Sequence, residues 1–112
     1  INNKKIILIN DSYNSNPMSL NEAIHNFSLR KKNNQRKVLI IGDMLELGKY
    51  SKKLHTQIGK TINKTSLKNV NVIGKSVKLT FDNLNKSKRG IIIKKKSEII
   101  DFLDHPLTQL LS

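Results

Sequence analysis

The feature that most constrains the fold is a series of four short apolar runs, separated by segments with helical periodicity. The runs are Lys5–Asn10, Lys37–Gly42, Asn69–Gly74 and Gly90–Lys94. Each is rich in isoleucine or valine, and near-continuous apolar runs are typical of strands that are covered on both faces. The pattern therefore predicts four buried strands.

Helical patterns fill the intervals between these runs. Asn16 is a favourable N-cap and Pro17 is well tolerated in a first turn, so the two residues mark a helix start. The predicted helices cover the segments from Asn16 to about Asn33, roughly Ser51–Lys64, about Ser76–Leu84, and from Ser97 onwards. Pro106 interrupts the fourth helix or starts a new turn, and the tail after it has no assigned structure.

Strands that alternate with helices predict right-handed crossovers between parallel strands. The fold class is thus α/β: a three-layer, Rossmann-like open sheet, mainly parallel, with about four strands and flanking helices. A length of 112 residues fits a single domain. Ligands of such sheets bind beyond the carboxyl ends of the strands, so the loops after the strands are the segments to inspect.

Composition excludes several classes of function. The chain has no cysteine, which rules out disulfides and thiolate chemistry, and no apolar run of the roughly 18 residues that span a bilayer. We expect a cytoplasmic protein with no membrane partner. The chain begins at Ile1, and we expect it to be part of a longer protein.

The net charge of +13 has two interpretations. It could form a basic face for nucleic acid, in a small nucleotide- or nucleic-acid-binding α/β module. However, only three of the 21 basic residues are arginine, the residue favoured for bidentate phosphate contacts, and the lysines are scattered over every predicted surface segment. We therefore interpret the charge as compositional drift on a solvated surface and expect no nucleic-acid partner.

The loop after the first strand, residues 10–17, gathers an acid, hydroxyls and amides beside a helix N-terminus. Free N–H groups at a helix start attract anions. Asp11 is suited to accept hydrogen bonds from ribose hydroxyls, and Tyr13 to stack on a base. The structural alternative is that the asparagines and serines only form the turn and cap the helix.

The loop after the second strand, residues 42–48 (GDMLELG), carries two acids three positions apart with apolar residues between them. An apolar loop at the ligand edge is expected to contact another domain or a substrate. The alternative is a buried crossover anchored by Leu45 and Leu47. Asp43 and Glu46 could hold a metal or a substrate ammonium, although two carboxylates are a weak signal for a metal.

His55 follows on the second helix, and a single helical histidine is more often packed or solvent-facing than catalytic. The sequence contains no glycine-lysine phosphate loop, no dinucleotide-binding glycine motif and no Ser/His/Asp arrangement. We therefore assign no catalytic residue and no metal ligand.

Taken together, the two loops resemble those of the Mur ligases. Residues 11–20 (DSYNSNPMSL) are similar to the family signature D-S-Y-N-A-N-P-x-S-M, and residues 38–48 (VLIIGDMLELG) to a hydrophobic strand followed by G-D-M-x-E-L-G. Leu54-His55, Ile58-Gly59 and Val72–Gly74 continue the match, which covers roughly residues 4–104. Both motifs favour the members that add D-alanyl-D-alanine over the tripeptide-forming ligase or folylpolyglutamate synthetase.

The resemblance implies the C-terminal, Rossmann-like domain of a three-domain enzyme, without its N-terminal UDP-sugar domain and its central ATPase domain. In that enzyme ATP and Mg²⁺ are used to phosphorylate a carboxylate of UDP-N-acetylmuramoyl-tripeptide. The amine of D-alanyl-D-alanine then attacks the acyl phosphate, a step of peptidoglycan precursor synthesis. We expect this chain alone to bind no cofactor tightly and to be inactive.

The resemblance also implies site residues by position. At the adenosine side of the ATP cleft it places Asp11, Tyr13, Asn14 and Asn16. In the loop near the amine substrate and the interdomain surface it places Asp43, Met44, Glu46 and Leu47, with His55 close behind. These residues are expected to bind and orient substrates rather than to form covalent bonds. The family usually continues into a further strand and a K-G-S motif; residues 107–112 lack that motif, and we expect an unpaired sheet edge there.

Overall fold

The computed structural model describes residues 5–10, 16–30, 36–103 and 108–111. The strands are β1 (Lys5–Asn10), β2 (Arg36–Gly42), β3 (Val70–Ile73), β4 (Arg89–Ile93) and β5 (Thr108–Leu111). The helices are α1 (Pro17–Leu29), α2 (Ser51–Asn63), α3 (Lys78–Asp82) and α4 (Ser97–Leu103), with short 3₁₀ turns at Gly48–Tyr50 and Lys86–Lys88. Over these residues no helix is both long enough and apolar enough to cross a bilayer.

The strands form one sheet in the order β4-β3-β2-β1-β5, and all four neighbouring pairs are parallel. The predicted fold class and the four predicted strands are confirmed. The expectation that residues 107–112 leave a sheet edge unpaired is wrong for β1, because Thr108–Leu111 forms a fifth strand that pairs with it from Lys5↔Thr108 to Leu8↔Leu111. Residues 108–111 (TQLL) contain only two adjacent apolar residues, so they carry no strand signal of their own, and the strand is fixed by pairing with β1.

The helices divide between the two faces of the sheet. Because β1 to β4 advance in one direction, right-handed crossovers put α1, α2 and α3 on the same face, and the return to β5 puts α4 on the other. Alternate residues of β2 accordingly enter two apolar clusters: Leu39 and Ile41 join the larger one, whereas Val38 and Ile40 join a smaller one with Ile99 of α4. The sheet is therefore covered on both faces, as its apolar strands predict.

The helix boundaries follow local chemistry at some ends and packing at others. The Asn16 side chain accepts a hydrogen bond from the Ser19 N–H at 2.9 Å, which confirms the predicted N-cap. The third helix is shorter than predicted, since α3 spans five residues. Val77 and Leu84, which suggested the longer helix, are buried from the turns that flank it.

Asn71 is a buried polar residue at the centre of β3, where β4 carries one extra residue and the β3–β4 register shifts. Its amide nitrogen donates to the Leu39 and Asn69 carbonyls at 3.2 and 3.0 Å, and its oxygen accepts from the Ile91 N–H at 2.8 Å. The side chain thus supplies hydrogen bonds across three strands where the bulge interrupts the backbone ladder.

Lys88 is a buried lysine. Its ammonium donates to the Thr65 and Leu67 carbonyls, at 2.6 and 2.8 Å, just beyond the C-terminal end of α2. Burial, together with repulsion from Lys68, lowers the pKa of Lys88 below its ordinary value of 10.5. The charged form is therefore disfavoured in the folded state relative to the unfolded chain.

Replacing Lys88 by methionine should reveal this penalty through its dependence on pH. At neutral pH we expect the free energy of unfolding to fall by about 1–2 kcal/mol, because two carbonyls lose their donor. The folded state binds fewer protons than the unfolded state between the lowered pKa and 10.5, so the wild-type chain gains stability as the pH rises through that window. The deficit of Lys88→Met should therefore widen towards pH 10.5 in urea unfolding. Lys86→Met, at an exposed neighbouring position, is the control and should change the free energy of unfolding at neutral pH by less than about 0.5 kcal/mol.

Candidate functional site

The carboxyl ends of β1, β2 and β3 lie at one edge of the sheet, which is where the sequence predicts a ligand site. The register pairs Asn10 with Ile41 and Gly42 with Ile73. The loops after β2 and β3 therefore leave the sheet side by side, and Asn10, the last residue of β1, lies at the same edge. Asp11, Tyr13 and Asn14, predicted at the nucleotide, lie outside the described residues.

Asp43 joins the two described loops. Its carboxylate oxygens accept the backbone N–H groups of Lys75 and Val77, at 3.2 and 2.8 Å, in the turn that leads into α3. A Cβ on Gly74 would lie under 3.0 Å from this carboxylate, and Gly74 has a φ of +132°. The side chain predicted to face a substrate is thus engaged in fixing one loop against the other.

Met44 and His55 provide a second attachment of the same loop. Met44 is buried in the larger apolar cluster, and its N–H donates to His55 Nε2 at 3.0 Å. His55 is 1% exposed, and its Nδ1 lies 2.8 Å from the Ser51 carbonyl oxygen. Of the packed and solvent-facing alternatives for His55, the burial fits the packed one, and the ring lies behind the loop, where the resemblance places it.

Beyond Met44 the loop turns outwards. Glu46 is exposed and adopts a left-handed conformation with φ +61°, which is uncommon for a residue with a side chain, and Gly48 follows at φ +57°. Leu47 packs against the larger cluster, whereas Leu45 is 55% exposed. The alternative of a crossover anchored by Leu45 and Leu47 is therefore wrong for Leu45; Met44 and Leu47 are the apolar anchors.

A cavity of about 250 Å³ opens at this edge on the α4 side of the sheet. Its apolar lining comes from Ile9, Ile40, Leu45, Ile73 and Ile99. Asn10, Asp43 and Lys96 supply the polar part, and the Asn10 side-chain oxygen is buried without a hydrogen-bond partner among the described residues. An apolar recess with a few polar groups is typical of small-molecule sites.

Some residues of the site were not predicted from the sequence. Asn16, predicted at the nucleotide, uses its side-chain oxygen to cap α1. The N–H groups of Lys75 and Val77, and Lys96 at the cavity, lie in loops that have no distinctive motif. The signal that could have found them is the Gly74 that follows the third apolar run, since it marks a post-strand turn at the same edge.

The sequence of this chain is similar to those of known proteins. The sequence model of the family described as "Mur ligase, glutamate ligase domain" matches residues 1–107. UDP-N-acetylmuramoyl-tripeptide–D-alanyl-D-alanine ligases are similar: that of Buchnera aphidicola subsp. Acyrthosiphon pisum is 35% identical over 80% of this chain and 22% of its own length. That of Haemophilus influenzae is 32% identical over 88% of this chain and 20% of its own length.

A second Buchnera ligase of the same name, from subsp. Baizongia pistaciae, is 40% identical over 65% of this chain and 15% of its own length. No significant match was found among solved structures. The chain thus spans about a fifth of the length of the first two ligases named here, at 22% and 20%. Because the family match extends over nearly the whole sequence, the chain belongs to the Mur ligase family and contains its glutamate ligase domain.

Proposed function

We propose that this chain is the C-terminal domain of an ATP-dependent ligase that adds D-alanyl-D-alanine to UDP-N-acetylmuramoyl-tripeptide. Residues 1–112 form a single domain in this proposal, and the UDP-sugar and ATPase domains belong to the rest of the protein. The observation that carries it is the loop 43–48, braced at Asp43 and Met44 so that Leu45 and Glu46 project from the carboxyl edge of the sheet. The names of the similar ligases support the substrate pair.

In this proposal the loop 43–48 contacts the dipeptide and the neighbouring domain. Glu46 has an exposed carboxylate on a strained backbone, and such strain concentrates at functional positions. A carboxylate there is suited to bind the amino group of the dipeptide and orient it before attack. Leu45 supplies the exposed apolar surface for the domain contact, and Asp43, Leu47 and His55 hold the loop in shape.

The nucleotide is assigned to the loop after β1. Asp11, Tyr13, Asn14 and Asn16 are proposed at the adenosine side of the ATP cleft, where Asp11 contacts the ribose. The sequence contains no glycine-lysine loop for the phosphates, so Mg²⁺ and the phosphates of ATP would be held by the central domain. The chain alone would then neither hydrolyse ATP nor form a peptide bond.

The setting follows from the substrates. A ligase that consumes a UDP-linked precursor and ATP would act in the cytoplasm, and its product would enter cell-wall synthesis. Loss of the activity would thereby affect cell shape and division.

The proposal is tested by Glu46→Gln in a full-length ligase that contains this sequence. We expect the KM for D-alanyl-D-alanine to rise about fivefold, the equivalent of one charge-assisted hydrogen bond at a partly exposed site. The KM for ATP should change little. Steady-state kinetics with each substrate varied in turn measures both values.

Glu22→Gln, which changes an exposed carboxylate on α1, is the matched control and should leave both constants unaltered. A larger change for ATP than for the dipeptide would refute the placement of the loop. Binding of nucleic acid by the chain, with an affinity that falls steeply as salt rises, would instead support the basic binding module.

A further inference from the structure

The hydrogen bonds of His55 determine which ring nitrogen carries the proton. The Met44 N–H can only donate, so His55 Nε2, 3.0 Å away, must offer a lone pair. The Ser51 carbonyl can only accept, so Nδ1, at 2.8 Å, must carry the hydrogen. The ring is therefore neutral, in the Nδ1–H tautomer, and bridges the start of α2 to the loop 43–48.

The same contacts exclude a catalytic role for this histidine. The ring is 1% exposed, and the one lone pair that could accept a proton is occupied by the Met44 N–H. His55 is itself held from the other side, because the Thr80 hydroxyl of α3 donates to its carbonyl oxygen at 2.6 Å. A group that is buried and hydrogen-bonded on both nitrogens can act on a substrate only through what it holds.

His55 holds a loop that contains a residue in an uncommon backbone conformation. Two residues after Met44, Glu46 lies at φ +61°, and Gly48 at φ +57°. A non-glycine residue keeps such a conformation only where its surroundings enforce it. The His55–Met44 hydrogen bond fixes the loop on one side of Glu46, and the packing of Leu47 fixes it on the other.

We propose that His55 is a positioning residue: as the neutral Nδ1–H tautomer, it holds Met44 so that Glu46 is presented to the amine substrate. This inference rests on the proposed function of the loop and adds the element that shapes it. The bond is lost if Nε2 carries a hydrogen, because two N–H groups would then face each other. His55 can therefore hold Met44 only while Nε2 carries no hydrogen.

Two variants separate the hydrogen bond that His55 accepts from Met44 from the contribution of its side chain to packing. His55→Leu fills part of the volume but offers no acceptor, whereas His55→Gln places a carbonyl oxygen about as far along the side chain as Nε2. Selective ¹⁵N-histidine labelling of the chain should show a protonated Nδ1 and an unprotonated Nε2. Hydrogen exchange of the Met44 amide should accelerate about tenfold in His55→Leu and return towards the wild-type rate in His55→Gln.

The kinetic arm uses the full-length ligase. His55→Leu should raise the KM for D-alanyl-D-alanine by up to about fivefold, the effect expected of Glu46→Gln, because His55 acts only through Glu46. The KM for ATP should change little, and His55→Gln should restore most of the loss. His25→Leu, on the exposed side of α1, is the matched control and should alter neither exchange nor kinetics.

Failure of the inference about His55 and failure of the proposed function of the loop would give different results. The hydrogen bond from Met44 to His55 would be refuted by a protonated Nε2, or by unchanged exchange of the Met44 amide in His55→Leu. Either result would count even if Glu46→Gln still raised the KM for the dipeptide. Faster exchange with an unaltered KM would overturn the positioning role. If Glu46→Gln itself left that KM unchanged, the proposed function of the loop would fail, while the hydrogen bond could still be verified by exchange.

Discussion

Alanine at Gly59 is expected to destabilise the fold by about 2 kcal/mol, although alanine is the better helix former. Gly59 is buried in the middle of α2, where a Cβ would lie 2.6 Å from the Thr80 carbonyl oxygen and 3.0 Å from the Asn83 Cβ. The Thr80 oxygen is backbone and cannot rotate away, so α2 and α3 would have to separate. The helix propensity gained, about 1 kcal/mol, offsets only part of the overpacking, which reaches about 3 kcal/mol or more.

Urea unfolding of Gly59→Ala measures this balance, with Lys60→Ala as the control at the exposed neighbouring position. The control should change stability by less than about 0.5 kcal/mol. A stabilised Gly59→Ala would mean that α2 and α3 do not approach as closely as described. Separation should also lengthen the bond from the Thr80 hydroxyl to the His55 carbonyl, which spans the same two helices.

The sequence was most informative where burial acts on consecutive residues. The five residues from Val38 to Gly42 are all buried, so β2 appears as an apolar run regardless of which face each residue covers. Asn16 could be predicted as a cap because its partner, Ser19, is three residues away. Neither Thr108–Leu111 nor the shortened α3 could be predicted. The tail strand contains only two adjacent apolar residues, and the ends of a five-residue helix are decided by its neighbours.

The location of the site could be predicted from the sequence, but the contacts between its side chains could not. Parallel strands bring their carboxyl ends to one edge, so the loop 43–48 was expected there. The partners of Asp43 lie 32 and 34 residues further along the chain, in a turn without a motif. The role of Asp43 in bracing the loop could therefore not be predicted. Leu45 was a plausible anchor by hydropathy, yet Met44 is the buried residue, because the loop direction depends on His55 and on the positive φ of Glu46.

Alanine at Gly74 should produce the largest loss of stability among these substitutions, about 3 kcal/mol. With φ +132°, Gly74 occupies a conformation that an L side chain rarely adopts, and that strain alone costs about 1–3 kcal/mol. The new Cβ would also displace the Asp43 carboxylate, which would lose its hydrogen bonds to the Lys75 and Val77 N–H groups. Both terms act at the turn that joins β3 to α3.

A double-mutant cycle with Asp43→Ala separates the two terms. Asp43→Ala removes the carboxylate that the Cβ would meet, so Gly74→Ala should cost less in that background, by about 1 kcal/mol, while the backbone strain stays. Additive effects would show that the carboxylate avoids the new methyl group without losing its hydrogen bonds, so the approach of Gly74 to Asp43 would be looser than the geometry implies. If instead Gly74→Ala cost nothing in either background, the turn after β3 would not have the conformation described, and Asp43 would lose its role as the brace of the loop 43–48.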